Sequence, residues 1–489
     1  MKRKLLAACL LVASWAGPLQ AQSVTADELD LFRRVREAVE RVGRRSGAAL
    51  WPGFRPDTLP VAYAFRDRGR LLLGWEGALP DGYVAIEGVA GAGWQSEGVR
   101  SAASTGMSIE GRGTAQVVYS GQELPWLVGT SIHEAFHVYQ GAMARGDRHF
   151  GRGENSFLVT RYPIFDVENE TAFALEGIVL TAAVDAKADS TAARLAREYL
   201  SVREARQRRL GAELAEFEQQ AELNEGLAQY AGVKALLFLS EMRDVEWPAE
   251  AAAEAQRERG KLEGFLDERD VSFRQRYYAT GVAQALLLDR LAGDDWKEEL
   301  MEQNLTLQDA LALAGGYRER ERALRRSARE EFDAERLTGR AELAIEDLRA
   351  RLRARVDSAL SRPGLTLVMD ATGINGVGLC GIDPQNLLQV DEGVLFHSRW
   401  VRPCAGQALQ AEFTTPVLED RTANTLRAVI GPLTDVHVSV NGEPLRLTEP
   451  LSIHAAEGVH LEAPDATVTA ARADIELSGD TLRIRPLGG

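Results

Sequence analysis

The apolar residues of this chain change period at Pro363-Gly364, and that change sets the fold class. Before it, hydrophobic residues recur mostly at the three-to-four spacing of amphipathic helices; after it, short β-branched runs alternate with turn residues. Leu365-Thr366-Leu367-Val368-Met369, Val436-His437-Val438-Ser439-Val440 and Thr481-Leu482-Arg483-Ile484-Arg485 are the clearest later strands. Asn441-Gly442, directly after the second, is the residue pair of a tight hairpin turn. A length of 489 residues suits two or three domains. The expectation is an α+β protein: a mainly helical body, then an all-β unit over 363–489 of sandwich or jelly-roll type.

Smaller changes divide the helical body. From Thr25 to about Arg45, Leu29, Leu31, Phe32, Val35 and Val39 recur at helical spacing, with Thr25 or Asp27 as a cap and Gly43 at the end. Between Trp51 and Gly121, glycine is frequent. Val61–Phe65, Leu71–Trp75 and Ala115–Tyr119 read as strands of a small sheet. Helical spacing returns from Leu124 to about Ala314. Residues 317–362, dense in Arg, Glu, Ala and Leu, read as one or two solvated helices bridging a body over 22–316 to the β unit.

The start of the chain reads as an address. Met1–Lys4 is basic, Leu5–Ala16 apolar, and Gly17-Pro18-Leu19-Gln20-Ala21 a small-residue exit, the pattern of a secretory signal peptide over 1–21. About a dozen apolar residues are too few for a membrane span. A lipid on Cys9, within Leu6-Ala7-Ala8-Cys9, is the less favoured alternative, because the apolar run continues past that cysteine. Periplasmic or extracellular placement follows, and Cys380 and Cys404 are the two cysteines left to pair there. A formal net charge of −15 disfavours nucleic acid and anionic membrane surfaces as partners.

The chemistry lies in His133-Glu134-Ala135-Phe136-His137. Positions i and i+4 project from one helix face, so both imidazoles can grip one Zn²⁺ while Glu134 acts as general base toward the water that the metal acidifies. Only His133, His137 and His149 occur between residues 22 and 362, and two of these three make the motif. A catalytic zinc needs a third protein ligand. Met143 and Gln140 stand where a metzincin has its third His and its Gly, which excludes that class. His149, in the polar loop Gly146-Asp147-Arg148-His149, reads as a surface residue.

In three ordered segments the sequence resembles the gluzincin metallopeptidases, the thermolysin-like and aminopeptidase-like clan. The first is the His-Glu-x-x-His. The second, Asn224-Glu225-Gly226-Leu227-Ala228, is similar to the helix that carries the clan's third zinc ligand. The third, Tyr278-Ala279-Thr280-Gly281, looks like the helix start whose tyrosine stabilises the oxyanion. The resemblance covers about residues 110–295. It implies a zincin-like domain binding zinc through His133, His137 and Glu225, with Glu134 and Tyr278 catalytic and a peptide or protein as substrate. The departures are the long stretch 138–224, which offers Glu168, Glu170 and Glu176 as rival ligands, and the missing Gly-x-Met-Glu-Asn motif, which favours internal cleavage. The strand around Val117-Val118-Tyr119 is the expected edge for an extended peptide. Two other readings stay open: a catalytically silent zinc-containing scaffold, and a zinc hydrolase of non-peptide amides.

Overall fold

The computed structural model describes residues 24–488, apart from 67, 97–102, 263–272, 319–321, 375–376, 384–385 and 449. Residues 1–21, read as a signal peptide, and Cys9 among them lie outside the described residues. The chain is a mixed helix and sheet protein with a small N-terminal sheet, a helical middle and a large C-terminal sheet. It divides into two compact units, one of residues 1–142 and 231–254, the other of 143–230 and 255–489. Among the described residues no helix is long and apolar enough to cross a membrane.

In the first unit, α1 (Ala26–Leu50) begins at Thr25, which closes a reciprocal capping box with Glu28. The expected stop at Gly43 does not occur. A Cβ there would lie 2.4 Å from the Asp57 carboxylate, so this glycine makes room for a close neighbour and the helix continues through it.

The sheet holds β1 (Val61–Phe65), β2 (Gly69–Leu73), β3 (Val84–Ala85), β4 (Gly93–Gln95), β5 (Thr105–Ile109) and β6 (Arg112–Tyr119), in the order β3-β4-β2-β1-β6-β5. β1 and β6 are parallel and the other pairs antiparallel. All five residues of β1 are buried, as a continuous apolar run predicts for a central strand. On one face of β1, Tyr63 and Phe65 pack against Phe32 of α1. Ala62, on the other face, joins a small cluster with Leu72 and Trp75. The edge expected at Val117–Tyr119 is corrected: β6 lies inside the sheet, and β5 is the edge. Polar and glycine-rich, Thr105-Gly106-Met107-Ser108-Ile109 gave too weak an alternation to read as a strand.

Helix α2 (Leu124–Met143) is apolar round most of its circumference, as expected for a core helix. It continues to α3 (Val167–Asp185), α4 (Asp189–Leu210), α5 (Ala212–Ala221), a π-helical turn at Glu222–Gly226, and α6 (Leu227–Glu241). The remaining helices are α7 (Pro248–Gly260), α8 (Gln275–Leu291), α9 (Trp296–Glu302), α10 (Leu307–Gly315), α11 (Arg322–Glu331) and α12 (Ala334–Leu360). The charged segment expected as a solvated bridge is these last two helices. The bridge reading needs correction for α12, because its Leu348, Leu352 and Val356 share a core with Phe173, Phe217, Tyr277, Leu388 and Phe396. The arginines and glutamates between those positions hid a full apolar stripe.

The C-terminal strands are β7 (Thr366–Asp370), β8 (Gly378–Ile382), β9 (Leu387–Asp391), β10 (Val394–His397), β11 (Val401–Ala405), β12 (Leu409–Phe413), β13 (Val417–Asp420), β14 (Thr425–Val429), β15 (His437–Val440), β16 (Glu443–Leu445), β17 (Leu451–Ala463), β18 (Ala466–Ser478) and β19 (Thr481–Pro486). They form one hydrogen-bonded network that forks at β18. Its first half pairs with β12, leading to β11 and β8, and its second half with β19, leading to β7, β14, β13, β10 and β9. Alternate residues of both branches, among them Leu367, Leu409, Phe413, Val468 and Ile484, enclose a common core. Asn441 (φ 50°) and Gly442 (φ 79°) make the tight β15–β16 turn that their sequence implied. Cys380 and Cys404, on the paired strands β8 and β11, form a disulfide with Cα atoms 5.8 Å apart.

Candidate metal centre and the Arg274 cluster

Helical spacing puts His133 and His137 on one face of α2, and their side chains converge. The two Nε2 atoms face each other at 3.0 Å. Two imidazole nitrogens on one tetrahedral zinc would stand about 3.3 Å apart, given Zn–N bonds of 2.0–2.1 Å. Among the described residues, His133, Glu134 and His137 form a group whose ligand atoms all lie within 4.8 Å of one another. His133 and Glu134 are buried, and His137 is half-buried.

Several contacts within the first unit hold α2 in place. Ser131, two residues before His133, is 3.1 Å from the Tyr63 hydroxyl of β1. Burial pushes that phenol up to about 12, so Tyr63 stays neutral and can donate. Phe136 packs edge-on against Trp51 and Phe54. The Tyr139 hydroxyl donates to the Pro52 carbonyl at 2.7 Å. One turn before His133, Gly129 meets Gly232 of α6, where a Cβ would lie 2.7 Å from the Gly129 carbonyl oxygen. Gly106 of the edge strand β5 also packs on α2, less tightly; a Cβ there would lie 3.1 Å from the Val138 nitrogen and 3.3 Å from His137.

Gln140 is a site residue that the sequence reading passed over except as a missing glycine. Its buried amide oxygen lies 2.9 Å from His137 Nδ1. With the Nδ1 proton donated there, Nε2 keeps the lone pair that a metal needs. The residues present could therefore hold a metal ion: two imidazoles aimed at one point, one of them with its tautomer fixed from behind. The signal was in the sequence, since Gln140 follows His137 by three residues on the same helix face.

Glu225 and Tyr278 belong to the second unit, and Arg274 brings them together. Its guanidinium donates to Glu225 Oε1 at 2.6 Å and, through Nη1, to the Tyr278 hydroxyl at 3.1 Å. It also donates through Nε to Glu154 Oε1 at 2.8 Å, while Asn224 Nδ2 holds Glu154 Oε2 at 2.9 Å. Burial alone would lower the pKa of Arg274, but the carboxylates of Glu225 and Glu154 raise it above its ordinary value. Glu225 sits in the π-helical turn, a local widening found often at functional positions. Tyr277 is the packing aromatic, fully buried against Tyr162, Phe173 and Phe217, whereas Tyr278 is half-buried at the start of α8.

The rival carboxylates are engaged elsewhere. Glu168 is exposed and paired with Arg209. Glu170 accepts two bonds from Arg276, at 3.1 and 2.7 Å. Glu176 accepts two from Arg206, at 2.6 and 3.0 Å. Glu176 is fully buried in a network that also contains Glu218, Glu222, Arg203 and Tyr162. His149, expected as a surface residue, is half-buried and held by Gln220 at 2.6 Å, a correction that its polar loop gave no reason to foresee.

Comparison with protein-family models, with curated proteins and with solved structures returned no match to this chain.

Proposed function

We propose that the chain is an exported zinc-dependent metallopeptidase of the gluzincin kind, hydrolysing peptide bonds. The observation that carries the reading is the pair of Nε2 atoms of His133 and His137, 3.0 Å apart beside the Glu134 carboxylate. When bound, zinc would acidify a water and polarise the scissile carbonyl. His133 and His137 would hold the metal through Nε2, and Gln140 keeps the His137 proton on Nδ1. Glu134 takes the proton of the attacking water and returns it to the leaving amine, as its place beside the first histidine suits. Glu225 as third protein ligand and Tyr278 as oxyanion donor rest on the order of the sequence motifs alone. Export rests on the character of residues 1–21 and is supported by the Cys380–Cys404 disulfide, a bond of oxidising compartments.

The test compares mature protein with its Glu134→Gln variant for bound zinc and for cleavage of a peptide library. The expected result is equal zinc in both and turnover in the first alone. Equal activity in both rejects the mechanism. Zinc without peptide turnover in either selects the scaffold reading or, if small amides are hydrolysed, the non-peptide amidase.

A further inference from the structure

In the second unit a cavity of about 900 Å³ opens between the start of α3, the end of α4, α11 and the start of α12. Its wall includes Leu175, Val202, Leu210 and Leu214. Five arginines line it against two carboxylates, those of Asp166 and Glu168, in a protein whose formal net charge is −15. Three of the arginines there are already committed: Arg206 to Glu176 and Glu218, Arg209 to Glu168, and Arg161 to Glu213. Arg325 and Arg329 are different. They stand one helical turn apart on α11, both line the cavity, and neither makes an ion pair or hydrogen bond among the described residues. Like charges at that spacing repel, so an anion set between them would stabilise the pair. The volume suits a ligand the size of a drug or lipid chain, and the leucine and valine wall suits an apolar body rather than a free inorganic ion.

We propose that this cavity binds a long-chain fatty acid, its carboxylate held by Arg325 and Arg329 and its chain laid along Leu175, Val202, Leu210 and Leu214. The site is independent of the metal reading and would stand if zinc chemistry failed. A fatty acid fits better than a phosphate ester because two guanidinium groups on one helix face match one small anionic head, and Leu175, Val202, Leu210 and Leu214 offer an apolar track for its chain.

Calorimetric titration of the full mature protein with dodecanoate, dodecanol, butyrate and inorganic phosphate tests it. Dodecanoate is expected to bind with dodecanol, butyrate and phosphate each at least tenfold weaker. The Arg325→Gln/Arg329→Gln variant is expected to lose roughly tenfold or more in dodecanoate affinity, the effect of removing charge-assisted bonds. Both arginines lie outside the core, and an unchanged circular dichroism spectrum checks the fold of that variant. A second variant, Thr338→Trp, obstructs the cavity from α12 and should weaken dodecanoate with both arginines present. Absence of dodecanoate binding overturns the proposal. So does dodecanol binding as tightly, phosphate binding more tightly, or an affinity that neither variant changes.

Discussion

Gly226 and Gly281 meet backbone to backbone: a Cβ on Gly226 would lie 2.6 Å from the Gly281 Cα, and one on Gly281 would lie 2.5 Å from the Gly226 Cα. Two segments far apart in the chain, Asn224-Glu225-Gly226 and Tyr278-Ala279-Thr280-Gly281, are thereby pressed together. The side chains of Glu225 and Tyr278 then fall within reach of the single guanidinium of Arg274. The glycines are the structural cause, and the shared arginine is the consequence.

That contact inverts the usual effect of replacing a helical glycine. Alanine normally gains about 0.5–1 kcal/mol over glycine in a helix interior. At Gly281 the added methyl has only backbone to displace, so Gly281→Ala should cost about 1–3 kcal/mol, as overpacking does. Gly339 of α12 meets nothing within 4 Å and supplies the control, since Gly339→Ala should stabilise. Urea denaturation of the two variants measures the difference, and equal midpoints would show that the close approach carries no strain.

How much of this was legible in the sequence depended on whether a signal was local. Val61–Phe65 was bounded correctly because Pro60 and the polar residues after Phe65 frame an unbroken apolar run. His133, Glu134 and His137 were found because one helical turn writes their geometry into their spacing. Glu225 and Tyr278 were flagged by pattern; Arg274, which joins them, stands one helical turn before Tyr278, but its ion pair with Glu225 spans 49 residues and no local pattern announces it. The continuation of α1 past Gly43 was unreadable for a similar reason, since it depends on Asp57 arriving from another segment. Long-range ion pairs leave no periodic trace.

The buried network around Arg206 should be the least tolerant part of the second unit. Its guanidinium reaches Glu176 at 2.6 Å and Glu218 at 2.6 Å, and all three side chains are essentially excluded from solvent. Arg206→Met fits the volume but leaves two buried carboxylates without their shared cation, at a cost of about 3–5 kcal/mol. Thermal unfolding should show a large fall for this variant. A loss below about 1 kcal/mol, the range of an exposed pair, would mean that water replaces the arginine without difficulty.

Acid should loosen the start of α1 through Glu28. Two bonds from Arg68, at 2.8 and 3.0 Å, are the main reason its pKa is lowered to about 2 from the ordinary 4.5. The unfolded chain therefore binds the proton more readily, and the pair's contribution is complete above about pH 4.5. It declines as pH falls toward 2 and is gone below that. Solvent screens the pair, so Glu28→Gln should cost only about 1 kcal/mol at neutral pH. The difference between wild type and variant should vanish near pH 2. A difference that persists there would assign the effect to packing instead of charge.

Gln140 gives the sharpest test of the metal reading, because it is close to the centre without being a ligand. Its amide oxygen fixes the proton of His137 on Nδ1. Replacing it by leucine keeps the bulk and removes the acceptor. The imidazole then loses both its orientation and the bond that strengthens Nε2 as a donor. Losses of ten- to a hundredfold in metal affinity are typical for such outer partners. Gln140→Leu should accordingly bind zinc about ten- to a hundredfold more weakly in competition with a chelator, with its circular dichroism spectrum unchanged. Gln140→Glu keeps an acceptor of similar length and should hold affinity near that of wild type. If leucine and glutamate behave alike, the contact between Gln140 and His137 serves packing, and zinc is held without help from behind.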